Sequence, residues 1–144
     1  MQKHILITGG AGFIGINTAN YFLAKKEHVT LFDNLSRKGS EENLKWLKKT
    51  WGKGFGFVRA DVVTDREKLD TLVSDVDVVI HLAAQVAVTR SVENPHHDFL
   101  VNAQGTLNVL EAIRCSQNKP MMIYASTNKV YGNMDHTPVH LTES

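Results

Sequence analysis

The chain has 144 residues, with 16 Lys and Arg against 15 Asp and Glu, a net charge of +1 and 42% apolar residues. No basic stripe interleaves with aromatics, which excludes a dedicated nucleic-acid surface, and the lone Cys115 excludes an internal disulfide and fits a reducing compartment. No apolar stretch is long enough to span a bilayer and the first residues enter a strand pattern directly, so a single cytoplasmic domain is expected.

The first element is the apolar run Ile5-Leu6-Ile7, the pattern of a strand buried on both faces. Glycines follow at Gly9, Gly10, Gly12 and Gly15, and a helical pattern then begins, with Phe13, Ile14, Ala19, Phe22 and Leu23 as its expected apolar face and Lys25-Lys26 at its end. Strand, glycine turn and helix make the first half of a dinucleotide-binding βαβ unit. Gly9 and Gly10 are expected to turn the backbone at positive φ. Gly12 carries no side chain to hold a diphosphate away from the peptide N–H groups, and Gly15 lets the helix pack closely. The glycines fit two registers, Gly10-x-Gly12-x-x-Gly15 and Thr8-Gly9-x-x-Gly12-x-x-Gly15.

The second strand, about His28 to Phe32, ends in Asp33, near the ~20-residue offset of the acid that binds an adenosine ribose. Asp33 suits the two ribose hydroxyls of NAD. A 2′-phosphate ~4 Å away would be repelled by about 4 kcal/mol at an effective dielectric of 20, so NAD is expected over NADP, although Arg37 and Lys38 oppose that repulsion. A loop through Asn34, Ser36 and Arg37 leads to a helix starting at Ser40, with Leu44, Trp46 and Leu47, and ending near Thr50. A third strand, Phe55 to Arg59, precedes Asp61-Val62 and a short helix from about Asp65 with Leu69, Leu72 and Val73 on one face. The fourth strand is Val76 to His81, followed by the small-residue turn Leu82-Ala83-Ala84 and a polar loop. Asn94-Pro95 starts a long helix expected to run to about Ser116, and the fifth strand is Met121 to Ala125. Strands alternating with helices imply an α/β fold, a doubly wound parallel sheet with its sites at the carboxyl ends of the strands.

Other residues have plainer readings. His81 is expected to be a satisfied core histidine, Cys115 a buried small hydrophobe, and Trp46 and Trp51 packing residues. His96 and His97 are neighbours that share no helix face, so no metal site is expected. Tyr21 and Lys25 spell a Tyr-x-x-x-Lys pair on the first helix, behind the glycine turn and out of reach of a nicotinamide.

With Phe13-Ile14 inside the glycine spacing and Ala125-Ser-Thr-Asn-Lys-Val-Tyr-Gly132 at the fifth strand, the chain resembles the extended short-chain dehydrogenase/reductases, the NAD-dependent epimerase/dehydratase family. Within it, Phe32-Asp-Asn-Leu-Ser-Arg-Lys-Gly39, Asn43-Leu-x-Trp-Leu47, Ala84-Gln-Val-Ala87, Asn94-Pro-x-x-Asp-Phe99, Asn102-x-x-Gly-Thr-Leu-Asn108 and Ser126-Thr-Asn-Lys-Val-Tyr-Gly132 resemble the CDP-paratose 2-epimerase (CDP-tyvelose epimerase) branch. The resemblance implies a Rossmann-type sheet with about five of the family's seven strands. It implies NAD as cofactor, a CDP-sugar as substrate and a homo-oligomer. It places Asp61, Val62, Gln85 and Asn102 beside Gly9, Gly12, Phe13, Ile14, Gly15, Asp33, Asn34, Ser36, Arg37, Leu82, Ala83 and Ala84 at the cofactor, and Thr127 at the family's catalytic hydroxyl position. Enzymes of that branch use bound NAD⁺ to oxidise C2 of the sugar and then return the hydride to the other face. The 4,6-dehydratases carry two carboxyl groups where this chain has Asn128 and Lys129, which cannot do that acid–base work, so elimination of water is disfavoured.

The family pattern continues past Tyr131 to a Tyr-x-x-x-Lys helix, two further strands and a sugar-binding domain, which these 144 residues do not contain. The chain is therefore expected to be the NAD-binding part of an epimerase, binding NAD without turnover. A non-catalytic NAD-binding module, a 4-epimerase and a nucleotide-sugar reductase are the alternatives. An uncovered apolar sheet flank and self-association are further expectations.

Overall fold

The computed structural model describes residues 2–127, 130 and 132; Asn128, Lys129 and Tyr131 lie outside the described residues. The elements in chain order are β1 (His4–Thr8), α1 (Phe13–Ala24), β2 (His28–Asp33), α2 (Ser40–Trp51), β3 (Gly56–Arg59), α3 (Arg66–Val73), β4 (Val78–His81), α4 (Val88–Glu93), α5 (Pro95–Phe99), a π-helical turn (Leu100–Gln104), α6 (Gly105–Cys115) and β5 (Met121–Tyr124). The sheet order is β3-β2-β1-β4-β5, with every neighbouring pair parallel. The expected Rossmann-type α/β sheet of five strands is thus the observed one.

Alternation along β1 divides the core. Ile5 and Ile7 point to one face, where they pack with Ile16, Ala19 and Leu23 of α1 and Leu44 and Leu47 of α2. Leu6 points to the other and packs with Leu69 and Val73 of α3 and Val109 and Ala112 of α6. A strand buried on both faces needs apolar residues at every position, and this is why its sequence shows no polar alternation. The order reverses on either side of β1, so the crevice between the carboxyl ends of β1 and β4 is the place where this topology leaves room for a ligand.

The expected α1 stripe is corrected at its start. Phe13 and Ile14 are 80% and 64% exposed, and the buried positions are Gly15, Ile16, Ala19 and Leu23. The apolar side chains of the first turn line the crevice rather than the core. Trp46, expected to pack, is exposed because it falls off the helix face that buries Leu44 and Leu47, whereas Trp51 packs on the core and donates its indole N–H to Asn20 Oδ1. Cys115, expected to be buried, is exposed; it ends α6 at the margin of the stripe formed by Gly105, Asn108, Val109 and Ala112.

The polar loop expected after β4 contains the short helix α4, and the expected long helix is divided by the π-helical turn. Its start is as expected, with Pro95 in the first turn and Asn94 Oδ1 accepting from the His97 N–H. Among the described residues β5 is the outermost strand on its side of the sheet, and it exposes Met121, Ile123 and Tyr124. Among the described residues no helix is long and apolar enough to cross a membrane.

Asn108 ties α6 to the connection after β3. Its buried amide donates to the carbonyls of Val62 at 2.8 Å and Val63 at 3.2 Å, and its Oδ1 accepts from Gln104. Asn108→Ala leaves the Val62 carbonyl without that donor and is expected to cost about 1–3 kcal/mol. Urea titration checks this, with the exposed Leu110→Ala as a control expected to move stability by no more than about 0.5 kcal/mol.

Candidate functional site

A cleft of about 540 Å³ opens at the carboxyl ends of β1 and β4, a volume typical of small-molecule and cofactor sites. Its floor is the glycine turn. Gly9 has φ +66°, and a Cβ there would lie 2.8 Å from the Ala83 nitrogen and the Leu82 carbonyl carbon. Gly15 is tighter still, because a Cβ would fall 2.4 Å from the Gly9 carbonyl oxygen. Gly12 is different: its Cβ would meet only the Gly9 oxygen, at 3.2 Å, and the position otherwise faces open space. Gly10 is not at positive φ as expected. It is required by close approach, since a Cβ would lie 2.8 Å from the Ile7 oxygen and from Leu31 Cδ2.

Gly12 caps α1 with no side-chain hydrogen bond, and the first turn carries no acidic residue. The helix therefore presents its amino end, with its partial positive charge, to the cleft. Arg37 and Lys38 are the only formally charged side chains among the described residues lining it. Together they give the cleft a positive character that suits an anion.

Of the residues expected at the cofactor, the cleft brings together Gly9, Gly12, Phe13, Ile14, Gly15, Arg37, Leu82, Ala83, Ala84 and Asn102. The others lie behind or beside it. Asp33 is buried at the end of β2, where Oδ2 accepts from the Ala11 N–H at 3.0 Å and Oδ1 from the Leu35 N–H at 2.7 Å. Its carboxylate thus braces the glycine turn while each oxygen keeps a further lone pair. Asn34 donates to Asp61 Oδ2 at 2.6 Å, and its own Oδ1 accepts from the Ser36 N–H. Asp61 Oδ1 accepts from the Val63 N–H, so this residue makes a turn and does not cap α3 with its side chain. Val62 is buried in the core beneath α6. Gln85 and Asn102 are paired reciprocally, the Gln85 N–H donating to Asn102 Oδ1 at 2.9 Å and Asn102 Nδ2 donating to the Gln85 carbonyl at 3.1 Å. Asn102 also donates to Asp98 Oδ1, which accepts from the Ser91 hydroxyl as well. Thr127 is exposed, just past β5.

Tyr21 and Lys25 lie at the far end of α1, where the ammonium sits 5.0 Å from the Tyr21 ring centroid. Among the described residues no three His, Cys, Asp or Glu side chains come together as a metal-holding group.

Lys38, set beside Arg37 in the electrostatic argument for NAD, also lines the cleft, whereas sequence reasoning missed Ser40, Asn43, Thr106 and Tyr124 as lining residues. Asn43 and Thr106 stood inside stretches that carried the family resemblance, which was the available signal. Asn43 Nδ2 donates to the Ala11 carbonyl at 2.9 Å, so α2 supports the glycine turn from outside. His81 is a satisfied core histidine as expected, between Thr8 at 2.7 Å and Thr106 at 3.1 Å, and it also forms part of the cleft wall. Burial pushes its pKa from 6.5 down to about 4.

The comparisons with known proteins agree with this geometry. The family model described as GDP-mannose 4,6 dehydratase matches residues 6–144. The chain belongs to that family. CDP-paratose 2-epimerase of Salmonella typhi is 43% identical over 97% of the chain, and a putative UDP-glucose 4-epimerase of Methanocaldococcus jannaschii is 38% identical over 94%. The chain spans 41% and 42% of the lengths of those two relatives. A UDP-glucose-4-epimerase of Stenotrophomonas maltophila, solved with NAD and formylated UDP-arabinopyranose, superposes with a TM-score of 0.82 at 29% identity, covering 96% of this chain and 41% of that one. The enzyme of Bifidobacterium longum, solved with NAD⁺ and UDP, gives the same TM-score and identity over 94% of this chain and 40% of that one.

Two outcomes follow from the turn and from His81. Gly15→Ala forces a methyl into the Gly9 carbonyl and is expected to lower folding stability by about 3 kcal/mol or more, read by urea or thermal unfolding. The unfolded chain protonates His81 near pH 6.5 and the folded chain only near pH 4, so the unfolded state binds more protons between them. Stability should therefore fall as pH drops through that window, by up to about 3 kcal/mol, and this part of the slope should vanish in His81→Gln.

Proposed function

We propose that this chain is the NAD-binding portion of a nucleotide-sugar epimerase of the CDP-paratose 2-epimerase type. The observation that carries the reading is the side-chain-free glycine turn at the amino end of α1, facing a cleft whose charged lining residues are Arg37 and Lys38. The residues fit a dinucleotide on a specific ground. Gly9 and Gly15 are filled by neighbouring backbone, whereas Gly12 keeps its open side toward the cleft, where a diphosphate would lie against the first-turn N–H groups. Arg37 and Lys38 would neutralise its charge, Asp33 would accept from the adenosine ribose with its remaining lone pairs, and Leu82 to Ala84 would offer a wall without large polar side chains. NAD supplies reversible hydride acceptance from a sugar carbon.

The resemblance puts Thr127 at the family's catalytic hydroxyl position, and its proposed role is to orient the sugar oxygen that alternates between alcohol and carbonyl. Asn128 and Lys129 support epimerisation over dehydration, because neither supplies the carboxyl chemistry that expulsion of water needs. The 43% identity to the Salmonella typhi enzyme favours inversion at C2, while the 38% identity to the Methanocaldococcus jannaschii protein gives 4-epimerisation the second place. NMR product analysis of a longer protein carrying this chain, with CDP- and UDP-sugars, separates the two by which carbon inverts.

Calorimetric titration of the 144-residue chain tests the cofactor step. NAD should bind at least about tenfold more tightly than NADP, because Asp33 opposes a 2′-phosphate. Gly12→Ala should weaken NAD by about tenfold or more while changing folding stability by only about 1 kcal/mol, since its methyl obstructs the cleft rather than the core. Equal affinity for both dinucleotides, or an unaffected Gly12→Ala, would count against the reading.

A further inference from the structure

His81 sits at the end of β4 with 2% of its surface exposed, and every polar atom around it has one consistent role. The Thr106 hydroxyl lies 2.6 Å from the Asn102 carbonyl and donates to it, so Thr106 Oγ1 can only accept from the imidazole 3.1 Å away. Nε2 therefore carries the proton. Thr8 Oγ1 accepts from the Ala83 N–H at 3.3 Å and shares the Leu82 N–H, also at 3.3 Å, with the Thr8 carbonyl at 3.1 Å, and its own proton needs an acceptor. The unprotonated Nδ1, 2.7 Å away, is that acceptor. The opposite tautomer would aim a third donor at Thr8 and leave Nε2 facing a hydroxyl whose proton is already committed. The Tyr124 ring stacks on the imidazole at 5.9 Å between centroids and 22° between planes, which holds the ring's orientation.

We propose that His81 is a positioning residue of the cleft: as the neutral Nε2–H tautomer it spans Thr8 and Thr106, and so fixes the ends of β1 and β4 against the π-helical turn that carries Asn102. Asn102 in turn holds Gln85 by two hydrogen bonds, so the backbone wall from Leu82 to Gln85 is fastened at both ends, by Thr8 at one and by Asn102 at the other. The low pKa of the buried ring agrees with this and keeps it uncharged at neutral pH. A π-helical turn at this place fits, because such turns re-aim individual groups where a ligand is handled. The inference deepens the NAD reading and rests on it only for its binding test.

The decisive experiment is a long-range ¹H–¹⁵N correlation spectrum of the histidine-labelled full chain at pH 7, with His81 assigned by its loss in His81→Gln. The Nε2–H pattern is expected, and an Nδ1–H or imidazolium pattern overturns the proposal. The second measurement is NAD affinity in Thr106→Val and Thr106→Ser. The valine variant should weaken binding about tenfold, and the serine variant, which keeps the hydroxyl, should stay within about twofold of the parent chain. An unchanged Thr106→Val overturns the proposal. If the parent chain binds no NAD, the cofactor reading fails, and the Gln85 backbone amide resonance then decides the present inference: displaced in Thr106→Val it stands, unmoved it falls.

Discussion

The closest constraint in this structure is the contact of backbone with backbone at the end of β1. The Gly9 carbonyl occupies the space that a Cβ on Gly15 would need, and the Ala83 nitrogen and Leu82 carbonyl occupy the space that one on Gly9 would need. Three chain segments, from β1, α1 and the end of β4, therefore meet with no side chain between them. The turn is held from outside as well: the Ala11 N–H is bound by Asp33 and the Ala11 carbonyl by Asn43. A helix end fixed this closely to a sheet has a defined direction, and direction is what converts a helix dipole into a binding site.

From that point the rest of the cleft follows in layers. Thr8, the last residue of β1, turns its hydroxyl toward His81 and the N–H groups after β4, while β2 contributes Asp33 on the opposite side. The same strand thus organises two walls. One wall is neutral, a hydrogen-bonded chain from Thr8 through His81 and Thr106 to the Asn102 carbonyl. The other carries the two cations, Arg37 and Lys38. Keeping the histidine neutral avoids placing a buried charge beside the backbone that the cleft depends on, a cost that burial would make large.

The sequence was most informative where one residue type has one physical job. The apolar runs at Ile5-Leu6-Ile7 and in Val76 to His81 fit strands covered on both faces, the second beginning two residues later than expected, and the glycine spacing gained its meaning from the following helix and Asp33. It was least informative where a side chain's partner lies far along the chain. Asp33 looked like a ribose ligand, and nothing local revealed that both its oxygens also hold backbone N–H groups of Ala11 and Leu35. Periodicity put Phe13 and Ile14 on the apolar face of α1, whereas the family resemblance put them at the cofactor, and it is the cleft that they line. The π-helical turn was equally hidden, since one extra residue in a helical repeat leaves the apolar pattern of Gly105 to Ala112 intact. His81 was read correctly as satisfied, but only the geometry joins Thr8 and Thr106 through it.

The division of labour in the cleft explains why its relatives differ in chemistry. Its described walls consist of backbone, apolar residues, amides, hydroxyls, two cations and a histidine held neutral by burial. Such a set suits an anionic ligand, and the one histidine in it is held neutral by burial. A scaffold of this kind can be shared by reactions that need the same hydride acceptor and different proton chemistry. Similarity to a 2-epimerase at 43%, a putative 4-epimerase at 38% and a 4,6-dehydratase at 35% is what that predicts, because the common requirement is written into these residues. Where the resemblance gives the 4,6-dehydratases a pair of carboxyl groups this sequence has Asn128 and Lys129, and a difference of that kind, rather than the shared scaffold, would separate the reactions.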